Sequence, residues 1–200
     1  MNSEIRMSMA SAVVVKASLS DPTLAAEAPP QRSRDYFELF GLPAQFDINI
    51  DDLAVRFRKL QMRFHPDKFV SAGAVEQRVA AQISADINTG YRVLSNPVSR
   101  ARFMLERVGM NLEKVERRPM PGDFLLQQME LREAVAQLKQ GNDSERTTLN
   151  QQVAELYEQH IEAFQVALQA GDFDGAGSVW QRLLFVDKLR QEIELATAQH

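Results

Sequence analysis

The chain has 200 residues, 44% of them hydrophobic, with a formal net charge of -4, three histidines and no cysteine. Those proportions suit a globular protein of one or two domains with cores of their own. Without cysteine there is no disulfide framework, thiol nucleophile or thiolate metal site, and His65, His160 and His200 are far apart in sequence, so neither a metal nor a cofactor is expected.

Charge is spread unevenly. Residues 1–34 carry four basic and three acidic groups, 35–118 carry thirteen and eleven, and 119–200 carry six and thirteen. The contrast indicates two modules with different partners, and the acidic second half argues against a nucleic-acid surface there. Residues 1–34 have no sustained period and contain Pro22, Pro29 and Pro30, so this segment is expected to be a disordered extension. Its apolar run from Ala12 to Val15 is too short for a signal-peptide core or a membrane span, and no later segment is long and apolar enough, so no membrane partner is expected.

Order is expected from Asp35, where Tyr36-Phe37-Glu38-Leu39-Phe40 reads as a short helix stopped by Gly41 and Pro43. From Asp51 to Phe64, Leu53, Phe57, Leu60 and Phe64 fall in one helical stripe about 60° wide. The opposite side carries Arg58, Lys59 and Arg63 with Val55 and Met62. Pro66 disfavours helical angles at His65 and cannot donate a backbone hydrogen bond, so the helix should end there and hold His65, Pro66 and Asp67 out in a loop. A second helix, from about Val75 to Leu94, spaces Val79, Ile83, Ile87, Tyr91 and Leu94 to pair with the first as an antiparallel hairpin. The His-Pro-Asp tripeptide between two such helices resembles the J-domain, the module that stimulates ATP hydrolysis by DnaK-type chaperones.

Ser95-Asn96-Pro97 stops that helix and starts another, Val98 to Val108, with Ala101, Leu105 and Val108 as its apolar side. Residues 35–109 thus make a small all-helical domain whose core is the hairpin, with Phe46 and Ile48 in the connection to it. Residues 110–122, rich in charge and containing Pro119 and Pro121, are expected to be a linker. Beyond it, Asp123, Gly141, Ser144, Gly171 and Asp172 punctuate three helical stretches, so residues 123–198 should form a three-helix bundle. Leu149, Val153, Leu156, Ile161, Phe164 and Leu168 give its middle helix a core side.

The first bundle helix has two apolar sides. Phe124, Leu131, Ala134, Val135 and Leu138 run its full length and are assigned to the core, which leaves Leu125, Leu126 and Met129 facing outward beside Glu130, Arg132 and Glu133. An apolar patch rimmed by charge is a common form of protein-binding site. In the last helix Val179, Leu183, Val186 and Ile193 share a face, and Phe185 lies roughly 120° from its centre. Packing of these outlying residues against their own fold is the ordinary alternative.

The ordered part, from residue 35 to about 195, resembles the HscB family of J-protein co-chaperones of iron-sulfur cluster biogenesis. The likeness is carried by Asp35-Tyr36-Phe37 with Phe40-Gly41-Leu42-Pro43, by Phe64-His65-Pro66-Asp67-Lys68-Phe69, by Glu130-Leu131-Arg132-Glu133, and by Leu184-Phe185-Val186-Asp187-Lys188-Leu189-Arg190. It implies an all-α fold, an N-terminal J-domain docked on a C-terminal three-helix bundle. It further implies a J-domain that engages the chaperone HscA and a bundle that holds the cluster scaffold IscU. By position, His65, Pro66 and Asp67 would form the stimulating loop, flanked by Lys68, Arg58, Lys59 and Arg63. Leu125, Leu126, Met129, Glu130, Arg132, Glu133 and Phe185 would form the scaffold-binding surface. Two departures stand out: residues 117–123 do not follow the family pattern cleanly, and the cysteine pairs of some eukaryotic relatives are missing, which points to a bacterial cytoplasmic protein. A general J-domain co-chaperone with another client is the alternative. An enzyme is not expected, since there is no phosphate-cradling glycine loop and no paired nucleophile and base.

Overall fold

Capping and periodicity set the first helices. In α1 (Tyr36–Phe40), Asp35 Oδ1 accepts from the backbone N–H groups of Phe37 and Glu38 at 3.0 and 3.4 Å, and the helix ends at Gly41 with φ 62°. That left-handed angle is why glycine stands there. The structure is a computed structural model and describes residues 35–137 and 143–197. The expected disorder of 1–34, the core assignment of Leu138, the stop at Gly141 and the far end of the 123–198 module lie outside the described residues.

Asn49 caps α2 (Ile50–Phe64), accepting from the Asp52 N–H at 3.0 Å. A 3-10 turn over Pro66–Phe69 leads to α3 (Ala74–Ser95). Phe57 stacks on Tyr91 at 4.1 Å and Gln61 bonds Asn88 at 2.6 Å, a register that runs the two helices antiparallel. Leu53, Ile87 and Leu94 lie fully buried between them, with Phe57, Leu60, Phe64, Ile83 and Tyr91 packed at the margin.

Asn96 caps α4 (Pro97–Arg107), accepting from the Ser99 N–H at 2.8 Å, and Pro97 needs no donor at the first position. The expected apolar side is corrected here. Ala101 and Leu105 are buried, but Val108 is 47% exposed, while Val98, Phe103 and Met104 are buried. The helix has ended by Val108, and α4 packs against both α3 and the last helix, so it hides more than one stripe.

The expected linker folds in part. α5 (Leu112–Glu116) buries Leu112 and Val115. It is fastened to the last helix by Arg118 to Asp174 at 2.7 Å and by the Gln181 amide, which donates to the carbonyls of Glu116 and Arg118 at 3.1 Å each. Composition alone gave no sign of these distant partners.

Three helices complete the described residues: α6 (Gly122–Gln137), α7 (Asp143–Gln169) and α8 (Phe173–Thr197). Gly171, at φ 71°, turns α7 into α8. Their core holds Leu149, Val153, Tyr157 and Phe164 of α7 with Ala176, Trp180, Leu183, Val186, Leu189 and Ile193 of α8. This core is continuous with that of the N-terminal helices. Phe46, in the connection between α1 and α2, packs on Phe164 of α7 at 4.9 Å, and the Trp180 indole donates to the Val98 carbonyl of α4 at 3.3 Å. Beside them the buried Arg100 donates to the Leu94 carbonyl at 2.7 Å and lies over the Phe46 ring. Burial pulls its guanidinium below the ordinary range and Asp47 partly offsets this. No helix among the described residues is long and apolar enough to cross a membrane.

Candidate functional site

The His-Pro-Asp loop is built from its own backbone. His65 leaves α2 with extended angles, φ -63° and ψ 131°, as a residue before proline must. Its ring does not cap the carbonyls of α2. Instead Nδ1 accepts from the Asp67 N–H at 3.4 Å, and the His65 carbonyl accepts from the Lys68 N–H at 3.0 Å. The imidazole thereby opens the 3-10 turn that carries Asp67. The Asp67 carboxylate, 3.5 Å from Nδ1 through Oδ2, is 86% exposed. Its outer edge is free to meet another molecule.

Arg58, Lys59, Arg63 and Lys68 are all exposed on the same hairpin. Val55, Arg58, Lys59, Met62, His65, Asp67 and Lys68 line one open groove of about 770 Å³. Val55 and Met62 are exposed in it, so the basic face has an apolar floor. Arg63 lies apart, over the Phe64 ring at 5.4 Å. Arg56 shows why a basic face is not merely a count of cations. Its guanidinium bonds Asp52 at 2.9 Å and the carbonyls of Phe40 and Gly41 at 3.0 and 2.8 Å, which fixes α1 to α2 and removes it from the groove.

On the C-terminal helices, Phe124 and Leu131 of α6 are buried, with Ala134 and Val135 packed at the edge of the core. Leu125, Leu126 and Met129 are 45%, 63% and 68% exposed, and Glu130, Arg132 and Glu133 are exposed with them. The longer stripe does face inward. Phe185 is different: it is half-buried, edge-on to Phe124 at 5.8 Å, with the Arg132 guanidinium 5.2 Å over its ring. A ring that looks stranded on an isolated helix is seated under a neighbouring one.

Phe124 is the junction. Besides Phe185, it meets His160 of α7 at 6.1 Å and the Arg182 guanidinium of α8 at 5.6 Å. Periodicity did not single out His160 as a contributor here, nor Arg182, because each reaches Phe124 from another helix. Burial holds the His160 imidazole below its ordinary pKa; a hydrogen bond with the Leu156 backbone opposes this and the Arg182 charge adds to it. Among the described residues, no group of three His, Cys, Asp or Glu side chains could hold a metal ion.

The two surfaces therefore lie on different modules of one fold, the loop at the tip of the α2–α3 hairpin and the apolar patch on α6. Residues 120–194 match the family model described as the HSCB C-terminal oligomerisation domain. The chain is 37% identical over 163 residues to a co-chaperone protein HscB homolog of Vibrio vulnificus (strain YJ016), covering 80% of this chain and 95% of that protein. It is 38% identical over 162 residues to one from Neisseria meningitidis serogroup B, covering 80% and 98%. Among solved structures, chaperone HscB from Vibrio cholerae aligns with a TM-score of 0.75 at 32% identity over 82% of this chain and 98% of that one. Human co-chaperone protein HscB shares the fold, with a TM-score of 0.79 at 22% identity over 92% and 94%.

Proposed function

The chain belongs to the HscB co-chaperone family, and from that premise we propose that it stimulates the ATPase of a DnaK-type chaperone, HscA, through its His-Pro-Asp loop. Its C-terminal module presents the iron-sulfur scaffold IscU to that chaperone, in the bacterial cytoplasm. No bond is made or broken within this chain. Asp67 forms a charge-assisted hydrogen bond with an arginine of the chaperone. Pro66 fixes the loop, His65 supports the turn, and Arg58, Lys59, Arg63 and Lys68 steer an acidic surface onto it.

The client rests on Leu125, Leu126 and Met129, within the rim of Glu130, Arg132 and Glu133, with Phe185 below. Because both sites are on one fold, binding the client raises its effective concentration beside the chaperone. Accelerated hydrolysis then traps the client in the chaperone's tight-binding state and favours cluster release.

The observation that carries this reading is the Asp67 carboxylate, 86% exposed at the end of a basic, apolar-floored groove. Asp67→Asn keeps the shape of the side chain and removes its charge. It should abolish stimulation of the HscA ATPase while scaffold affinity stays as in the wild type; normal stimulation would sink the proposal. The triple variant with alanine at 125, 126 and 129 should do the reverse. If that variant still bound IscU normally, the bundle would serve another client.

A further inference from the structure

The α6 patch does not stop at the edge of its own helix. On the side of Leu126 and Glu130, α6 stands away from α7 and leaves a cleft of about 540 Å³, lined by Asp123, Leu126 and Glu130 from α6, His160 from α7 and Arg182 from α8. Leu126 and Glu130 thus belong both to the outward patch and to this cleft, so a partner seated on the patch also covers the cleft mouth.

The chemistry of the cleft selects what enters. Asp123 and Glu130 supply two carboxylates on exposed residues of the rim. Against them stands one guanidinium, Arg182, which lies over the Phe124 ring and is half-buried. His160 adds no charge near neutrality, since burial disfavours its protonated form. Its Nε2 is occluded and has no hydrogen-bond partner among the described residues. The cleft therefore carries one net negative charge, with the neutral amide of Gln127 also in its lining and the apolar Leu126 at its entrance. A long aliphatic stem ending in a cation matches that order of surfaces.

We propose that the α6–α7–α8 cleft receives a lysine or arginine side chain of the same partner that covers Leu125, Leu126 and Met129, with Asp123 and Glu130 as its counter-charges and Arg182 setting the specificity against carboxylates. This rests on the client-binding reading given above. It adds Asp123, His160 and Arg182, which lie outside the α6 patch, to the recognition surface.

The sign of the Arg182 effect separates the alternatives. Full-length wild type, Asp123→Asn and Arg182→Gln are titrated calorimetrically against purified IscU at low and moderate salt, with circular dichroism melts to establish that each variant is folded. Asp123→Asn, at an exposed position, should weaken binding about threefold to fivefold at low salt. Arg182→Gln should tighten it, and both effects should shrink as salt rises. Weaker binding by Arg182→Gln, with Asp123→Asn neutral or tighter, would mean that the cleft takes a carboxylate and would overturn the proposal. If both variants bind as the wild type does while the triple alanine variant at 125, 126 and 129 loses binding, the cleft is idle and only the present inference falls. If IscU does not bind the wild type, the client reading falls and this one with it.

Discussion

The indole nitrogen of Trp180 donates to the backbone carbonyl of Val98 across 3.3 Å, joining α8 to α4 at a point where the indole is fully buried. Phe46 on Phe164 and Arg100 against Phe46 close the same seam. The apolar core passes through it without a break, so the two modules should melt together.

Because Trp180 is the only tryptophan, its fluorescence reports on the seam. Urea unfolding followed by that fluorescence and by far-UV circular dichroism should give coincident transitions. Trp180→Ala, which empties the seam, should cost about 3–5 kcal/mol. Separate transitions in the wild type would show that the modules are stabilised independently.

Gly90→Ala puts two effects in opposition. Alanine is favoured over glycine within a helix by about 1 kcal/mol. A Cβ at position 90, however, would lie 2.7 Å from Tyr36 Cδ1 and 3.0 Å from Phe40 Cε2. Both rings are hemmed in, since Phe40 is buried and Tyr36 packs on Phe103 at 4.9 Å. Overpacking of about 1–3 kcal/mol should prevail, and the variant should unfold at lower denaturant. A higher midpoint would mean that α1 yields more freely than this packing implies.

Phe185 combines support and recognition. Phe185→Ala should lower scaffold affinity by about 2 kcal/mol or more, roughly thirtyfold, and should also destabilise the fold by baring Phe124. Phe185→Leu keeps apolar bulk but no aromatic face for Arg132. Its stability should stay within about 1.5 kcal/mol of the wild type, while scaffold affinity still falls. Unchanged affinity for the leucine variant would confine the ring to packing.

His160 gives a pH dependence whose sign is set by its depressed pKa. The unfolded chain takes up this proton first, near pH 6.5. The stability associated with the neutral imidazole is therefore complete above that pH, declines as pH falls through it, and levels off below the folded pKa. Denaturant midpoints of wild type and His160→Gln, compared between about pH 8 and 5, should diverge in that window, the wild type losing more on acidification. Parallel curves would mean that the imidazole titrates alike in both states.

Much of the candidate site was legible because its signals are local. Pro66 stops α2 at His65 whatever surrounds it, and the two apolar sides of α6 can be counted on a helical wheel. The role of the His65 ring was not legible, since it depends on the turn that Asp67 completes. Nor was the seat of Phe185, whose ring finds Phe124 only when α6 lies across α8. Trp180 lies off the one expected stripe of its helix, and its partner, Val98, is 82 residues away in sequence.

By itself the sequence determined the helices other than α5, their order, the kinked acidic loop and the outward patch, because dihedral limits and the 3.6-residue period act over a few neighbouring residues. Only the tertiary structure decided that Arg56 ties α1 to α2, that the supposed linker packs on α8, and that α6, α7 and α8 enclose a charged cleft. Those outcomes depend on which distant surfaces meet in space, and no local period encodes that.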